Sequence, residues 1–360
     1  MNFIECYIRL NVVINYIKKM KILFIGKYYG NSKLSYNAIK KIHSKTEFLA
    51  TENILSKIEH FIFYNFFPNL FNHKINEFYE KKIIKKYDLF FFYNNEYVNE
   101  NLISKIKENN SKAFYYCGDN PFVNRDRKRW KLLIKVIDKF DLVIFQQKNR
   151  IKYVKKFNIK KYITILPPYF KNAHVRDNKK PKKNIIFFGT WFPERGKFFY
   201  ELIKLGIKID IYGPRWNKDK KYYKYLKPHI HLKTYNAQEF SNIISNYKIA
   251  IALYSKENDD DLSNRSIEIP AIGSLICSQK SKTLEKILIA NKEAIYFNTP
   301  NECFKKCLYL LNNEKIIDKI RINGQKKILK ILRPEAQNVF KKILTPNLLK
   351  KNNKKFIINY

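Results

Sequence analysis

Residues 185–197 read Ile185-Ile186-Phe187-Phe188-Gly189-Thr190-Trp191-Phe192-Pro193-Glu194-Arg195-Gly196-Lys197. Four apolar residues that run into a glycine are typical of a buried parallel strand that stops where the backbone must turn tightly. Arg195 and Lys197 lie where the following helix is predicted to begin. Because the N-terminus of a helix attracts anions, two cations beside it indicate a site suited to a diphosphate.

On both sides of this stretch, apolar runs of strand length alternate with helical periodicity, for example at Asn101 to Asn109 and Lys128 to Phe140. In the first half, strands are predicted at Lys21 to Gly26, Leu89 to Tyr93, Ala113 to Tyr116, Leu142 to Phe145 and Ile163 to Leu166. In the second half, they are predicted at Ile185 to Phe188, Lys208 to Tyr212, Ile249 to Leu253, Ser274 to Cys277 and Ala294 to Phe297. Such alternation indicates parallel sheets with crossover helices. The sequence therefore predicts an α/β protein of GT-B architecture, in which two Rossmann-like domains have parallel sheets facing across a cleft.

The chain of 360 residues is long enough for two cores. Residues 171–184 are polar and lack periodicity, which predicts an interdomain linker. The expected organisation is an N-terminal extension at 1–19, an acceptor-binding domain at 20–170, a donor-binding domain at 185–333, and a C-terminal helix with a basic tail at 334–360.

The net charge is strongly positive, since 71 Lys and Arg oppose 31 Asp and Glu to give +40. Only 11 of those cations are Arg, and Lys, Asn, Ile, Tyr and Phe are abundant together, a pattern expected from an AT-rich genome. The alternative interpretation is an anionic partner: a phosphate-bearing donor, an acidic lipid surface or, least favoured, nucleic acid.

Neither the cysteines nor the histidines have the spacing of a metal site. Cys303 and Cys307 are four residues apart on a predicted helix, where core packing is favoured. The six histidines form no ligand pattern, so neither a metal nor another cofactor is expected. The sparse cysteines, the lack of an apolar run of ~20 residues and the polar residues within 1–19 predict a cytoplasmic protein. Peripheral contact with the inner face of a membrane is left open.

Two motifs in the second half carry a family resemblance. They are Gly-x-x-x-Pro-x-Arg at Gly189, Pro193 and Arg195, and Arg-x-x-Glu-x-Pro-x-x-Gly at Arg265, Glu268, Pro270 and Gly273. Through these motifs, residues 185–330 resemble the C-terminal domain of group 1 glycosyltransferases, family 4 in the broad sense. They most closely resemble the CgeB-type branch of spore maturation proteins. The first half is similar only in its rhythm of strands and helices.

The resemblance implies a role for each matching residue. Arg195 takes the place of the Lys of a Lys-Gly pair that holds the donor phosphates, while Thr190 stands where a second phosphate-binding Arg is more usual. Glu268 matches the second Glu of the Glu-x7-Glu motif, which binds the ribose hydroxyls. Asp260 stands where the first Glu of that motif would reach the donor sugar. The matching motifs also contain Gly189, Arg265 and Gly273, and together with Lys197 and Gly213, which follow predicted strands, these complete the expected donor-binding set.

The residues themselves leave alternatives open in this region. Arg265 and Glu268 are three apart on one predicted helical face, so they either point together toward a ligand or form a surface ion pair. Gly213 follows a predicted strand at the carboxyl end of a sheet, where ligands commonly bind. Tyr212 or Trp216 could stack there on a nucleotide base, or the segment could be a simple turn with a packed Trp.

The first half is expected to bind the acceptor. Asp119 follows a predicted strand, where it acts either as general base for an acceptor hydroxyl or as a turn residue that caps local backbone. Residues 60–97 are rich in aromatic and basic side chains. That segment is interpreted as core packing, with an anionic membrane or nucleic-acid bases as the alternative partners.

Taken with the resemblance, these features predict a glycosyltransferase of the hexosyltransferase type. It would move a sugar from a nucleoside diphosphate sugar to a hydroxyl acceptor on a glycan, lipid or protein. The family 4 likeness favours retention of configuration, and Asp119 and Asp260 are the candidate catalytic residues. The alternatives are a GT-B-like binding protein without activity and a basic nucleic-acid-binding protein.

Overall fold

The computed structural model describes residues 20–83, 86–173 and 181–345, which form two compact units. The first unit contains the described residues up to 166, residues 257–259 and those from 336 onward. The second unit contains residues 167–256 and 260–335. The predicted extension at 1–19, residues 174–180 of the predicted linker and the tail from 346 lie outside the described residues.

The first unit is built on a six-stranded parallel sheet. Its strands are β1 (Ile22–Gly26), β2 (Thr46–Ala50), β3 (Leu89–Tyr93), β4 (Lys112–Cys117), β5 (Leu142–Phe145) and β6 (Tyr162–Thr164), in the order β2-β1-β3-β4-β5-β6. Between them lie α1 (Gly30–Ile42), α2 (Lys57–Asn65), α3 (Asn72–Ile83), α4 (Glu100–Glu108) and α5 (Lys131–Ile134). Short 3₁₀ helices occur at Pro68–Phe71, Asn124–Asp126, Ile137–Lys139 and Lys148–Tyr153.

Apolar strands and aromatic rings explain why this sheet is buried. Every residue of β1, β3 and β5 is buried, as expected when helices cover both faces of a parallel sheet. The ring of Phe24 stacks on those of Phe48 and Phe91 at 5.4 Å between ring centres. The rings of Tyr93 and Tyr116 stack at 4.5 Å on neighbouring strands.

The second unit has another parallel sheet of six strands. They are β7 (Lys183–Phe188), β8 (Asp210–Tyr212), β9 (Ile230–His231), β10 (Tyr247–Ala252), β11 (Leu275–Gln279) and β12 (Ile295–Phe297), in the order β12-β11-β10-β7-β8-β9. Its helices are α6 (Pro193–Lys204), α7 (Tyr223–Leu226), α8 (Ala237–Ser245), α9 (Asn264–Ile272), α10 (Lys282–Ile287), α11 (Pro300–Leu311) and α12 (Glu314–Lys326). Trp216–Lys218 and Lys227–His229 are 3₁₀ helices, and Lys327–Leu332 is a π-helix.

One helix follows the second unit in the chain but packs in the first. This helix, α13 (Ala336–Ile343), lies against α1. The ring of Phe340 contacts those of Phe91 and Tyr116, each at 6.1 Å between centres. Residues from the end of the described chain therefore complete the core of the first unit.

Each sheet reverses its winding direction once. From β1 the chain moves outward to β2 and returns to β3 on the other side, and from β7 it moves outward through β8 and β9 and returns to β10. In open α/β sheets, ligands bind at the carboxyl ends of the strands beside such a reversal. Functional residues are therefore expected in the loops after β1 and β3 and in those after β7 and β10.

The alternating parallel sheets predicted from the sequence are confirmed, and β3 and β5 have the predicted bounds. The edge strands β2 and β9 were not predicted. The helix predicted from Lys128 to Phe140 is wrong, since α5 and a 3₁₀ helix replace it. Hydrogen bonds to the residue three positions earlier, such as Val136 N–H to Leu133 O, form there instead of a continuous α-helical ladder. Among the described helices, none combines the length and the apolar character needed to cross a bilayer.

Candidate functional site

The loops after β7 and β8 touch each other through two glycines. Gly189 follows β7, and Gly213 follows β8 with φ +143°. A Cβ atom at position 213 would lie 2.2 Å from the carbonyl oxygen of Gly189. That oxygen also accepts a hydrogen bond from Nε1 of Trp216 at 3.0 Å. Glycine at position 213 therefore allows a backbone contact that a side chain would prevent.

Arg195 links the loops on either side of the reversal in the second sheet. It lies in the first turn of α6, and its Nη1 donates to the carbonyl oxygen of Thr190, just after β7, at 2.6 Å. Its Nη2 donates to the carbonyl oxygen of Leu253, just after β10, at 3.4 Å. The guanidinium also lies over the rings of Phe187 and Phe192, at 5.4 and 4.7 Å from their centres.

The surroundings of Arg195 leave its charge only partly compensated. The residue is 8% exposed, and burial lowers the pKa of its guanidinium to about 10, against the opposing effect of the Glu194 and Asp260 carboxylates. The group is therefore still a cation at neutral pH. Among the described residues, its Nε has no hydrogen-bond partner. A buried cation beside a helix N-terminus attracts the negative charge of a phosphate.

Helix α9 positions the predicted Arg–Glu pair. Ser263 is its N-cap residue, and Gly273 ends it in the left-handed conformation with φ +94°. The guanidinium of Arg265 forms an ion pair with the carboxylate of Glu268 and lies 3.7 Å from the ring centre of Phe240. Glu268 is buried and Arg265 is half-buried, so only the arginine end of this ion pair reaches the surface.

Ring contacts and electrostatics place these charged groups in one neighbourhood. Arg265 lies 5.3 Å from the ring centre of Phe188, the last residue of β7. Its charge lowers the pKa of Arg195, beside the larger effect of burial, whereas the Asp260 carboxylate raises that pKa. The structure therefore brings the candidate catalytic residue Asp260 together with most of the predicted donor-binding set, namely Gly189, Thr190, Arg195, Gly213, Arg265 and Glu268.

Two predicted donor-binding residues lie apart from this group. Lys197 points to solvent on α6 and pairs with Glu201 at 3.7 Å. Gly273 is at the opposite end of α9 from Arg265, which at 1.5 Å per residue is roughly 12 Å away. The geometry gives Gly273 a role in ending the helix. A donor-binding role for either residue stays a prediction.

The acidic run around Asp260 divides among different partners. Asp259 forms ion pairs within the first unit, with Lys152 at 2.6 Å and Arg150 at 3.5 Å. Asp261 accepts a hydrogen bond from the Thr283 hydroxyl at 2.6 Å. Of the three carboxylates, Asp260 is the one whose charge acts on Arg195.

An aromatic row lines the carboxyl ends of three neighbouring strands in the second sheet. Phe188, Tyr212 and His231 end β7, β8 and β9, and the strand register aligns them. The ring of Tyr212 stacks on that of His231 at 4.1 Å between centres and lies parallel to that of Phe188 at 5.8 Å. The half-buried ring of Tyr235 packs edge-on against both Phe188 and Tyr212. Trp216 is completely buried, so the option that it stacks on a base is wrong.

The first unit contains a buried ion cluster that sequence reasoning missed. Glu96 is 1% exposed, pairs with Arg129 at 3.2 Å and Lys27 at 3.5 Å, and accepts a hydrogen bond from the Tyr64 hydroxyl at 3.0 Å. Burial raises the pKa of Glu96, but Arg129 and Lys27 outweigh that effect and hold the pKa below its ordinary value. His60 lies 3.9 Å away, and burial lowers its pKa, so its ring is mainly neutral at pH 7.

Asp119 belongs to the same cluster. Its carboxylate accepts a hydrogen bond from Nδ2 of Asn94 at 2.8 Å and pairs with Arg125 at 3.2 Å and Arg129 at 3.3 Å. Burial raises the pKa of Asp119, but the two arginines outweigh it and hold the pKa below its ordinary value. Because a carboxylate stabilised in this way is a weak base, the arrangement disfavours Asp119 as a proton acceptor.

Three thiols of the second unit form a group that sequence spacing did not reveal. The Sγ atoms of Cys277, Cys303 and Cys307 lie within 4.8 Å of one another, the one such group of potential metal ligands in the part of the chain that the structure describes. All three residues are completely buried in the apolar core. Three thiolates around a divalent cation would leave a net negative charge there, at a large desolvation cost. We therefore keep the interpretation of core packing.

Sequence comparisons bear on the region around Arg195. Residues 195–343 match a family model described as glycosyl transferase-like. The matched segment begins at Arg195 and includes Asp260, Arg265 and Glu268. A search of curated proteins finds no significant match to the chain.

Several solved structures resemble the chain over most of its length. Sucrose-phosphate synthase from Thermosynechococcus elongatus is 10% identical, with a TM-score of 0.67 over 92% of this chain and 99% of that one. HepE from Anabaena, solved in complex with UDP-glucose, is 10% identical, with a TM-score of 0.67 over 90% and 98%. A Listeria monocytogenes protein assigned as a UDP-N-acetylglucosamine 2-epimerase is 12% identical, with a TM-score of 0.56 over 93% and 100%.

At these identities the structural similarity establishes the fold. Two parallel six-stranded sheets, one in each unit, match the GT-B fold, so the α/β class with two Rossmann-like domains predicted from the sequence is confirmed. Within this GT-B fold, residues 195–343 hold the buried Arg195 and the Arg265–Glu268 pair and match a glycosyl transferase-like family.

Proposed function

We propose that the protein is a glycosyltransferase that moves a sugar from a nucleoside diphosphate sugar to a hydroxyl acceptor. The observation that carries this proposal is Arg195, a buried cation in the first turn of α6 that joins the loops beside the reversal of the second sheet. The family match over residues 195–343 supports the same assignment. Membership of the CgeB-type branch and retention of configuration stay predictions.

In this proposal the second unit binds the donor. The Arg195 guanidinium and the N-terminus of α6 stabilise the diphosphate, which gains negative charge as its bond to the sugar breaks. Glu268 accepts hydrogen bonds from the ribose hydroxyls, and its ion pair with Arg265 fixes the carboxylate in place. Tyr212 and Tyr235 offer aromatic surface to the base. Since HepE binds UDP-glucose, uridine nucleotides are the first donors to test.

The reaction breaks the bond between the anomeric carbon and the diphosphate oxygen and joins that carbon to the acceptor oxygen. The acceptor proton must pass to a base. In a retaining front-face displacement, an oxygen of the departing diphosphate takes this proton, a route consistent with the weak basicity of Asp119. We place the acceptor on the first unit, where Lys27, His60 and Glu96 lie beside the reversal of the first sheet.

The test is thermal stabilisation of the full chain by a panel of nucleoside diphosphates and nucleotide sugars. A ligand present at about 100 times its Kd adds ~2.7 kcal/mol to the stability of a protein that binds it only when folded. We expect a shift with one base, reduced in Arg195→Lys because a point charge replaces the two-pronged guanidinium. Glu268→Gln should lose most of the shift, whereas Lys204→Ala, at the exposed end of α6, should keep it.

The outcomes separate the possible readings. No shift with any nucleotide at millimolar concentration, in protein that melts cooperatively, would contradict the proposal and favour a binding protein without activity. An unchanged shift in Glu268→Gln would remove that residue from the site. If a labelled donor is converted to an epimer without any acceptor, the chemistry is that assigned to the Listeria protein and not sugar transfer.

A further inference from the structure

A patch of large apolar side chains is exposed on the first unit, on α2 and the segment that follows it. Its members, each between 50 and 75% exposed, are Ile58, Phe61, Phe66, Phe67 and Leu70. The ring centre of Phe66 lies 6.0 Å from that of Phe61 and 6.2 Å from that of Phe67, so the aromatic members are contiguous. Contiguous apolar surface marks an interaction site, whereas apolar residues exposed singly need no explanation.

Two members of this exposed apolar patch, Ile58 and Phe61, are displayed by the regular helix α2. Ser56 begins α2 through a capping box with Glu59. An amphipathic helix that served only the core would bury its apolar side chains. Helix α2 instead buries only Phe63 and directs Ile58 and Phe61 to solvent. Helix formation itself therefore places the apolar side chains outward.

The exposed apolar patch is bordered by positive charge. Lys57, Arg127 and Lys128 are all exposed. Arg127 donates a hydrogen bond to the side chain of Asn65 at the end of α2, and the amide of Lys128 donates to the carbonyl oxygen of Tyr64 at 2.9 Å. These contacts fix Arg127 and Lys128 beside the end of helix α2.

Negative charge near the patch is neutralised. Glu59 is the only acidic residue between positions 57 and 76, and its carboxylate pairs with Nζ of Lys74 at 2.8 Å. The hydrogen bond from Lys74 is the main cause that lowers the pKa of Glu59 to about 2. The surface around the patch therefore presents uncompensated cations and no uncompensated carboxylate from this segment.

We propose that the exposed apolar patch docks on a lipid bilayer that contains anionic lipids. The rings of Phe61, Phe66 and Phe67 enter the interfacial region, and the bordering cations meet the headgroup phosphates. Stable binding needs both the burial of the apolar rings and the attraction between cations and headgroup phosphates, because each alone gives weak attachment. A second copy of this chain fits less well, since two identical patches would bring like charges together. The inference does not depend on the proposed function, since no predicted donor-binding residue takes part.

The experiment is sedimentation of the full chain with vesicles of phosphatidylcholine alone and with 30% phosphatidylglycerol, at about 150 mM salt. We expect binding to the anionic vesicles, weakened roughly tenfold or more in the double variant Phe61→Ser and Phe67→Ser. Lys128→Ala should weaken binding about fivefold, and only on anionic vesicles. The matched control is Leu308→Ser with Tyr309→Ser, two exposed apolar residues of the second unit.

The controls keep the result interpretable. The substituted side chains are exposed, so melting temperatures should match wild type, and Leu70→Ser replaces any variant that fails to fold. The proposal is overturned if the wild type does not bind anionic vesicles, or if the double Phe variant binds as tightly as the wild type. It is also overturned if light scattering shows a wild-type dimer that the double Phe variant abolishes, because the occupant is then a second copy.

Discussion

A methyl group at position 213 has no room, and the cost of adding one can be worked out from the structure. The new Cβ would lie 2.2 Å from the carbonyl oxygen of Gly189, whereas ordinary contact begins at 3.4 Å. The two loops would have to separate by roughly 1 Å, which overpacking data put at ~1–3 kcal/mol. The left-handed backbone, with φ +143°, adds ~1–2 kcal/mol for alanine. We therefore expect Gly213→Ala to cost about 2–5 kcal/mol.

Gly206→Ala is the matched control in the same unit. Gly206 also has positive φ, at +96°, but among the described residues no heavy atom beyond its chain neighbours lies within 4 Å of the position that a Cβ would take. Gly206→Ala should therefore lose only the ~1–2 kcal/mol of unfolding free energy that the unfavourable backbone conformation costs an alanine. The assay is urea unfolding of both variants, with the transition of the second unit identified by its response to a bound nucleotide. The reasoning is refuted if the two variants lose equal stability.

Four further results are expected. Glu96→Gln should destabilise the first unit by about 3 kcal/mol in urea unfolding, because Arg129 is left buried without its carboxylate partner. Glu77→Gln, which breaks the exposed ion pair of Glu77 with Lys81, should change the stability by under ~0.5 kcal/mol. The folded-state pKa of Glu96 lies below its ordinary 4.5, so its stabilisation is present above pH 4.5 and is lost as the pH falls through the folded value. The free energy of unfolding should therefore fall less steeply at acid pH in Glu96→Gln than in the wild type. An unchanged slope would show that the Glu96 carboxylate does not contribute to the acid loss of stability. A thiol reagent should modify Cys277, Cys303 and Cys307 only as fast as the protein opens, and rapid labelling of the native protein at any of these three positions, located by peptide mapping, would contradict their burial.

The fold was accessible from the sequence because its signals are local. Apolar runs such as Leu89 to Tyr93 end at the observed strand ends, since a strand buried on both faces must be apolar along its whole length. The edge strand β2 escaped prediction because only two of its five residues, Thr46 and Leu49, are buried, and β9 because it has two residues. Helical periodicity also gave a wrong prediction from Lys128 to Phe140, where one short α-helix and one 3₁₀ helix form instead of a single long helix.

The candidate site was only partly accessible for the opposite reason. Motif spacing predicted Arg195 and Glu268 as donor-binding residues. It did not predict that Phe240 would lie beneath the Arg265 guanidinium, because that contact joins side chains of two different helices. Glu96 was missed although it follows β3 by three residues, at the sheet edge where ligands bind. Its importance comes from Arg129 and other partners far away in the sequence, which no local pattern reveals.

The placement of α13 in the first unit has a consequence for how the chain is made. Phe340 packs on Phe91 and Tyr116, yet the whole second unit is synthesised between β6 and α13. At ordinary translation rates that interval lasts on the order of 10 s. During it, the aromatic surface that will receive Phe340 has been synthesised but has no cover. The core of the first unit can therefore be completed only after the whole second unit has been synthesised.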